Sequence, residues 1–379
     1  MNNTEAQKPK GLKAGTSREQ ATLMVFACGF SNIVFTFIWT VGVTGKPFWI
    51  AAFVGVLLNI PFGIWIFSFG KKFEGKNVFE IINGRLGRIV CGLVVLLYVS
   101  LNIVIIVCTI NLFVGTVKVY FLETTPQWFI ILLIVSMCAL FANSGIKTFG
   151  WLIELLAILA VINYFSGFSL SFIREFKLSH ILPVFDTTIS RFTTGVFFTA
   201  GGAGEGLFFL MTMAGTVRQP HRHYRWVVKG FGAGALILSF AIFIMLGDEG
   251  IEVLSRIGHA GVTVARTLFL GQYIRGMEVF ILMTYQYITV IRTTMVMSSC
   301  VQSINSVFSV KKRSWIILLV ITLTVFSLSW YINSFNTAYY LACFLGLYVV
   351  MPLVIFILII ASVAAGLKKK EYGACEKAT

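Results

Sequence analysis

Charge is what this chain has least of. Asp, Glu, Lys and Arg make up 12% of its 379 residues, where soluble domains carry about 25%. With 58% hydrophobic residues and a mean hydropathy of +0.88, this scarcity excludes a soluble globular domain and marks an integral membrane protein. Acidic residues are scarcer still, 15 against 30 basic ones, for a formal net charge of +15. The basic residues fall in short clusters between apolar runs instead of forming one basic face, so no nucleic-acid partner is expected. Histidine is nearly absent, and His221 and His223 in "HRHYR" lack the cysteine or carboxylate company of a zinc site. The seven cysteines are odd in number and contain no C-x-x-C spacing, which argues against a disulfide framework. No nucleophile–base set, metal cluster or phosphate loop appears, so neither enzyme activity nor a cofactor is expected.

Long apolar runs fill the rest. A hydrocarbon core about 30 Å thick needs roughly 20 apolar residues in a helix. Ten runs qualify, at about 20–42, 48–69, 89–117, 126–143, 149–172, 194–216, 229–247, 273–297, 314–332 and 338–366. The first is too long for a signal-peptide core and no A-x-A-like site follows it, so it reads as a retained span. Lys8, Lys10, Lys13, Arg18, Lys71, Lys72, Lys76, Arg85 and Arg88 cluster on one side, together with Arg218, Arg222, Arg225, Lys229, Lys311, Lys312 and Arg313. The positive-inside rule then places both termini in the cytoplasm. The layout is a tail over 1–19, one ten-helix domain over 20–366 and a tail over 367–379. Membrane lipid surrounds the domain.

Three connections have character of their own. Segments 171–193 and 248–271 lie outside. The second spaces Ile251, Leu254, Val262 and Ala265 as one face of an amphipathic helix, with Glu252, Arg256 and Arg266 on another and Gly258 and Gly261 as breaks. "NVFEIINGRLG" (77–87) is a shorter amphipathic segment on the inner side.

The sixth run, "TTGVFFTAGGAGEGLFFLMTMAGT", holds four glycines and Glu205 within Gly201–Gly206. Each glycine weakens a helix by about 1 kcal/mol relative to alanine. Two readings are open. Gly202 and Gly206 stand at G-x-x-x-G spacing, which permits close helix packing. Alternatively the helix unwinds here and lines a cavity with free backbone groups. Ten spans divide into five plus five of opposite orientation, about 20–172 and 194–366, so the sixth is the counterpart of the first. That first run carries Gly29, Ser31 and Asn32 near its middle, and matching interruptions in inverted halves point to a midplane binding site.

The order of these features, with "GKNVFEIINGRLGRIV" after span two, "GIKTFGWLIELLAI" opening span five, "ILPVF" before span six and "YIRGMEVFILM" opening span eight, resembles the B-subunit (permease) family of endospore germination nutrient receptors. That family is a branch of the amino acid–polyamine–organocation transporter superfamily. The resemblance implies an all-α, LeuT-like fold of two inverted five-helix repeats with discontinuous spans one and six. It further implies germinant sensing, often of amino acids, in the spore inner membrane beside a larger membrane subunit and a lipoprotein subunit. The Gly-Ser-Gly-like run of many amino-acid permeases is absent from span one, which reads "ACGFSN".

Glu205 heads the candidate binding residues, because a carboxylate at the bilayer centre costs roughly 2.5–3.5 kcal/mol on insertion scales. It has three uses open to it: binding a ligand ammonium, exchanging a proton, or pairing with a neighbouring helix. Gly29, Ser31, Asn32, Gly201, Gly202 and Gly204 are candidates through their backbones. Tyr98 and Asn102 of span three, and Tyr285 and Gln286 of span eight, are candidate pocket walls, with ordinary helix packing as the alternative for each. Glu154 and Arg292 share a depth near the inner ends of spans five and eight and are a candidate gate pair. A germinant receptor leads these readings; a proton- or sodium-coupled transporter of amino acids or cations, or a ligand-gated ion or water conduit, follows.

Overall fold

The computed structural model describes residues 17–30, 38–73, 75–174, 176–213, 215, 224–256, 258, 260–267, 276, 278–308 and 314–367. Ser31 and Asn32, and most of both tails, lie outside the described residues. Among the described residues the regular structure is helical throughout. Span one appears as α1 (Arg18–Phe30) and α2 (Ile38–Thr44), with 31–37 between them not described. Span two is broken into α3 (Phe48–Leu57) and α4 (Asn59–Lys72). Pro61 causes the break, since it brings no N–H to the Leu57 carbonyl. Beside the break, Asn59 Nδ2 donates to the Gly55 carbonyl four residues back, at 3.2 Å.

The segment at 77–87 forms α5 (Val78–Leu86), started by a reciprocal capping box between Asn77 and Glu80. Its Val78, Phe79, Ile81 and Ile82 are buried, the face its amphipathic spacing predicts. Then come α6 (Arg88–Tyr120), α7 (Gln127–Asn143), α8 (Ile146–Arg174) and α9 (Ile189–Met213). The second half continues with α10 (Arg225–Leu254), α11 (Ala260–Thr267), α12 (Glu278–Phe308) and α13 (Ser314–Tyr331). The last span is α14 (Phe335–Phe344), a π turn at Leu345–Val349 and α15 (Val350–Gly366). Among the described residues, eight stretches are long and apolar enough to cross a membrane, and α7 is a shorter apolar helix. The 33 residues of α6 reach about 50 Å, so that helix tilts or extends beyond the bilayer.

Burial separates centre from rim. In the most apolar stretch of α9, 83% of residues are buried, against 22% in α13. α9 is therefore the central staff, packed by α1, α3, α4, α12, α15 and the π turn. α13 shows Leu319, Val320 and Leu323 outward, as a lipid-facing helix does. The segment at 248–271 is not one surface helix. Ile251 and Leu254 belong to the end of α10, beyond a kink where Gly250 takes φ +74. Val262 and Ala265 are buried in α11, while Arg256 and Arg266 stay exposed, so the polar and apolar faces fall as their spacing predicts.

Two expectations are corrected. The helix does not unwind at GGAGEG: α9 is continuous from Ile189 to Met213. The glycines are consumed by contact. A Cβ on Gly201 would overlap the Gly346 carbonyl oxygen of the π turn, and one on Gly206 would overlap Cys28 of α1. A Cβ on Gly204 would come within 2.8 Å of Met351 Sδ. The close-packing reading holds, and it covers Gly201 and Gly204 as well as the G-x-x-x-G glycine Gly206.

The second correction concerns span eight, which does not end near 297. Ser298, Ser299 and Ser303 return their hydroxyl protons to carbonyls three residues back, and Ser306 to the carbonyl of Gln302. A hydroxyl-rich stretch thus stays helical to Phe308, which moves Arg292 from a helix end to midway along α12.

Candidate functional site

Glu205 of α9 and Arg292 of α12 form a hydrogen-bonded ion pair, Arg292 Nη2 donating to Glu205 Oε2. Both side chains are buried, and among the described residues the buried charged side chains are these two and Asp248. Arg292 therefore pairs with Glu205 and not with Glu154, which stays half-buried on α8; the expected gate pair is corrected. Taken singly, each charge is costly at this depth, and mutual pairing is what makes either tolerable. The Cys28 and Cys108 thiols of α1 and α6 lie within electrostatic reach of the guanidinium.

A small cavity adjoins the pair. Ala27 and Cys28 of α1 form one wall, Gly206 and Phe209 of α9 a second, and Ile291, Met295 and Val296 of α12 a third. The space open to the centres of water-sized molecules is about 20 Å³, room for about one water. An amino acid does not fit in that space.

The other candidates divide. Tyr98 is buried; its hydroxyl donates to the Phe208 carbonyl at 3.0 Å, and its ring packs on Phe79 and Phe208. Asn102 donates to the Tyr98 carbonyl at 2.8 Å, while its Oδ1 has no hydrogen-bond partner among the described residues. Gly29 lies where α1 crosses α10, its Cβ position 3.4 Å from the Gly234 Cα. Gly202 backs onto Gly346, and Tyr285 packs beneath Gly261 of α11. Gln286 faces outward from the bundle. The site is thus Glu205 and Arg292 with α1 at their side, and most of the expected pocket walls are helix-packing residues. Tyr98→Phe should accordingly cost about 1 kcal/mol of stability and leave ligand response untouched; a melting curve and a dose–response curve of the variant check this, and a shifted dose–response midpoint would return Tyr98 to the pocket.

Asn59, Cys28 and Cys108 were missed as neighbours of the site. Asn59 also donates to the Ala200 carbonyl of α9 at 3.1 Å, joining the break in span two to the glycine run. Its signal was available: a lone amide two residues before the proline of an apolar run. The two cysteines carried none, since a buried thiol reads as a small apolar side chain.

The spore germination protein family model matches residues 16–337. Spore germination protein B2 of Bacillus subtilis (strain 168) is 21% identical over 315 residues, 80% of this chain and 83% of the relative. The putative spore germination protein YfkT of the same strain is 22% identical over 231 residues, 60% of this chain and 61% of the relative. Among solved structures, a Na+-coupled sialic acid symporter in a substrate-bound outward-open state superposes with a TM-score of 0.57 at 11% identity, over 90% of this chain and 77% of that one. MhsT in complex with L-phenylalanine gives 0.57 at 14% identity, over 95% of each. At such identities the likeness is one of fold, and the fold is the all-helical, LeuT-like one.

Proposed function

The chain belongs to the spore germination protein family, and from that premise we propose that it is a transporter-fold receptor subunit whose ligand is a zwitterionic amino acid. The observation that carries this reading is the buried Glu205–Arg292 pair beside a small cavity, with Arg292 midway along α12. A small zwitterion is neutral overall and so is the pair. Inserted between the two side chains, its carboxylate meets Arg292 and its ammonium meets Glu205, and every charge keeps an opposite neighbour. A ligand of net charge would leave one charge uncompensated in a medium of low dielectric. Arg292 would then supply the carboxylate contact that span one, without a Gly-Ser-Gly-like run, does not.

Ligand entry exchanges one ion pair for two and separates α9 from α12. That separation is the conformational signal passed to a larger membrane subunit and a lipoprotein subunit in the spore inner membrane, with both termini of this chain cytoplasmic. The test is binding by the solubilised chain, read as a shift in its melting temperature. Amino acids should bind saturably, and their decarboxylated amines and deaminated acids at least tenfold more weakly. Equal binding of amine and amino acid would remove Arg292 from the site.

A secondary transporter is the second reading, favoured by the symporter-like fold. Vesicles holding the isolated chain should bind without accumulating label; uphill uptake of a labelled amino acid would establish transport instead.

A further inference from the structure

Glu205 and Arg292 face each other across one seam between α9 and α12, and the two ends of that seam are built differently. At the end where both helices finish, α5 holds them. Gly215, just past α9, lies so close to the turn before α5 that a Cβ on it would stand 2.5 Å from the Lys76 carbonyl carbon and 2.9 Å from the Asn77 nitrogen. Asn77 Nδ2 donates to Ser306 Oγ of α12 at 2.9 Å, and Asn83 Nδ2 donates to the Ser306 carbonyl at 2.7 Å. Phe79 of α5 packs edge-on against Tyr98, whose hydroxyl donates to the Phe208 carbonyl of α9. One short helix thus grips both sides of the seam, and every residue of α9 from Ala203 to Met213 is buried. Towards Ile189 and Glu278 the polar side chains of the two helices do not cross it. Thr193 and Thr194 donate to the Ser190 carbonyl within α9. Thr284 of α12 lies against the Phe280 carbonyl of its own helix and the Ala160 carbonyl of α8. Ile189 and Phe197 of α9 are exposed. Among the described residues, the seam is fastened at one end and unfastened at the other.

We propose that α5 is a clasp that keeps the Asn77 end of this seam shut, so that Glu205 and Arg292 are reached from the Ile189 end alone. The inference rests on the pair being the ligand site and gives that site a direction. A chain that opens at one end only binds its ligand without passing it across, which is what separates a receptor from a transporter of the same fold. Ser306 lies about 21 Å along α12 from Arg292, so a small opening at the far end needs little movement at the clasp. The clasp also borders a polar cavity of about 180 Å³, to which Thr212, Gln302 and Asn305 contribute. Water in a polar cavity takes over a broken hydrogen bond at little cost. Removing the contacts to Ser306 therefore frees the seam without stranding the Asn77 amide.

The test reads the reactivity of Cys28, which lines the cavity beside the pair. It uses no ligand, so it can fail while the zwitterion reading stands, and the reverse. A membrane-impermeant thiol reagent is added to one face of sealed vesicles holding the full chain, and labelling of Cys28 is followed by mass spectrometry. Gly84→Cys, on the exposed side of α5 with nothing within 4 Å of the new Cβ, marks the face that presents α5. In the marked chain Cys28 should react slowly, and only from the face opposite the marker. Adding Asn83→Ala and Ser306→Ala should raise its labelling rate from the α5 face about fivefold or more, with the level of folded chain unchanged. Ser306→Ala alone gives the same reading if the combined variant folds poorly. Cys28 that reacts from the α5 face before the clasp is cut, or that is inert from the opposite face, would overturn the proposal. So would an unchanged rate after the cut. Loss of folded chain with Ser306→Ala alone would overturn it too, by making these contacts a condition of the fold and not of its opening.

Discussion

Arg292→Met is expected to destabilise the chain by about 3–5 kcal/mol, because it strands the Glu205 carboxylate without a partner inside the bundle. The double variant Glu205→Leu/Arg292→Met removes both charges and replaces them with apolar side chains of similar size. Buried pairs replaced in this way often lose nothing in stability, so the double variant should melt at or above the parent temperature. It should also be silent in a germinant dose–response, since it keeps the packing and loses both proposed ligand contacts. The comparison separates structural from functional need: the single variant fails in folding and response, the double only in response. Melting curves of the solubilised proteins and germination assays provide both readouts. A single variant as stable as the parent would mean that the two side chains do not meet in the membrane. A double variant that still responds would place the ligand elsewhere.

Gly201→Ala should be nearly as damaging, by a different route. The added methyl overlaps the Gly346 carbonyl of the π turn, and a backbone carbonyl, unlike a side chain, cannot rotate away. Over-packing a tight contact costs about 1–3 kcal/mol and sometimes more, and the rigid obstacle puts this site at about 3 kcal/mol. α9 must shift away from α15, and Glu205, one helical turn further on, must shift with it. Gly232→Ala is the control: it is also helical, with nothing within 4 Å of the new methyl, and should gain up to about 1 kcal/mol from better helix propensity. If Gly201→Ala melted with the parent, the close approach of α9 to the π turn would not be a constraint on the fold.

These two sites show what could and could not be read along the chain. The four glycines and the glutamate stood out correctly as the unusual element, but loss of helix propensity and gain of close packing leave the same mark in a sequence. Only the positions of Cys28, Gly346 and Met351 around α9 tell the two apart. Arg292 was misplaced for a related reason. The apolar run stops at 297, whereas the serines after it satisfy their own hydroxyls within the helix and do not end it. Asn59, beside Pro61, was overlooked because a single amide barely alters the hydropathy of a span.

The sequence alone determined the membrane class and the succession of apolar helices, since the low dielectric of the bilayer forces each crossing segment to be apolar and helical over a set length. It also determined that Glu205 is exceptional, because one charge in an oily segment is conspicuous whatever surrounds it. The tertiary structure decided which cation answers that charge, which glycines serve packing, and that Gln286 looks outward. Those are relations between helices far apart in the chain, and the periodicity of one helix carries no information on which neighbour each of its faces will meet.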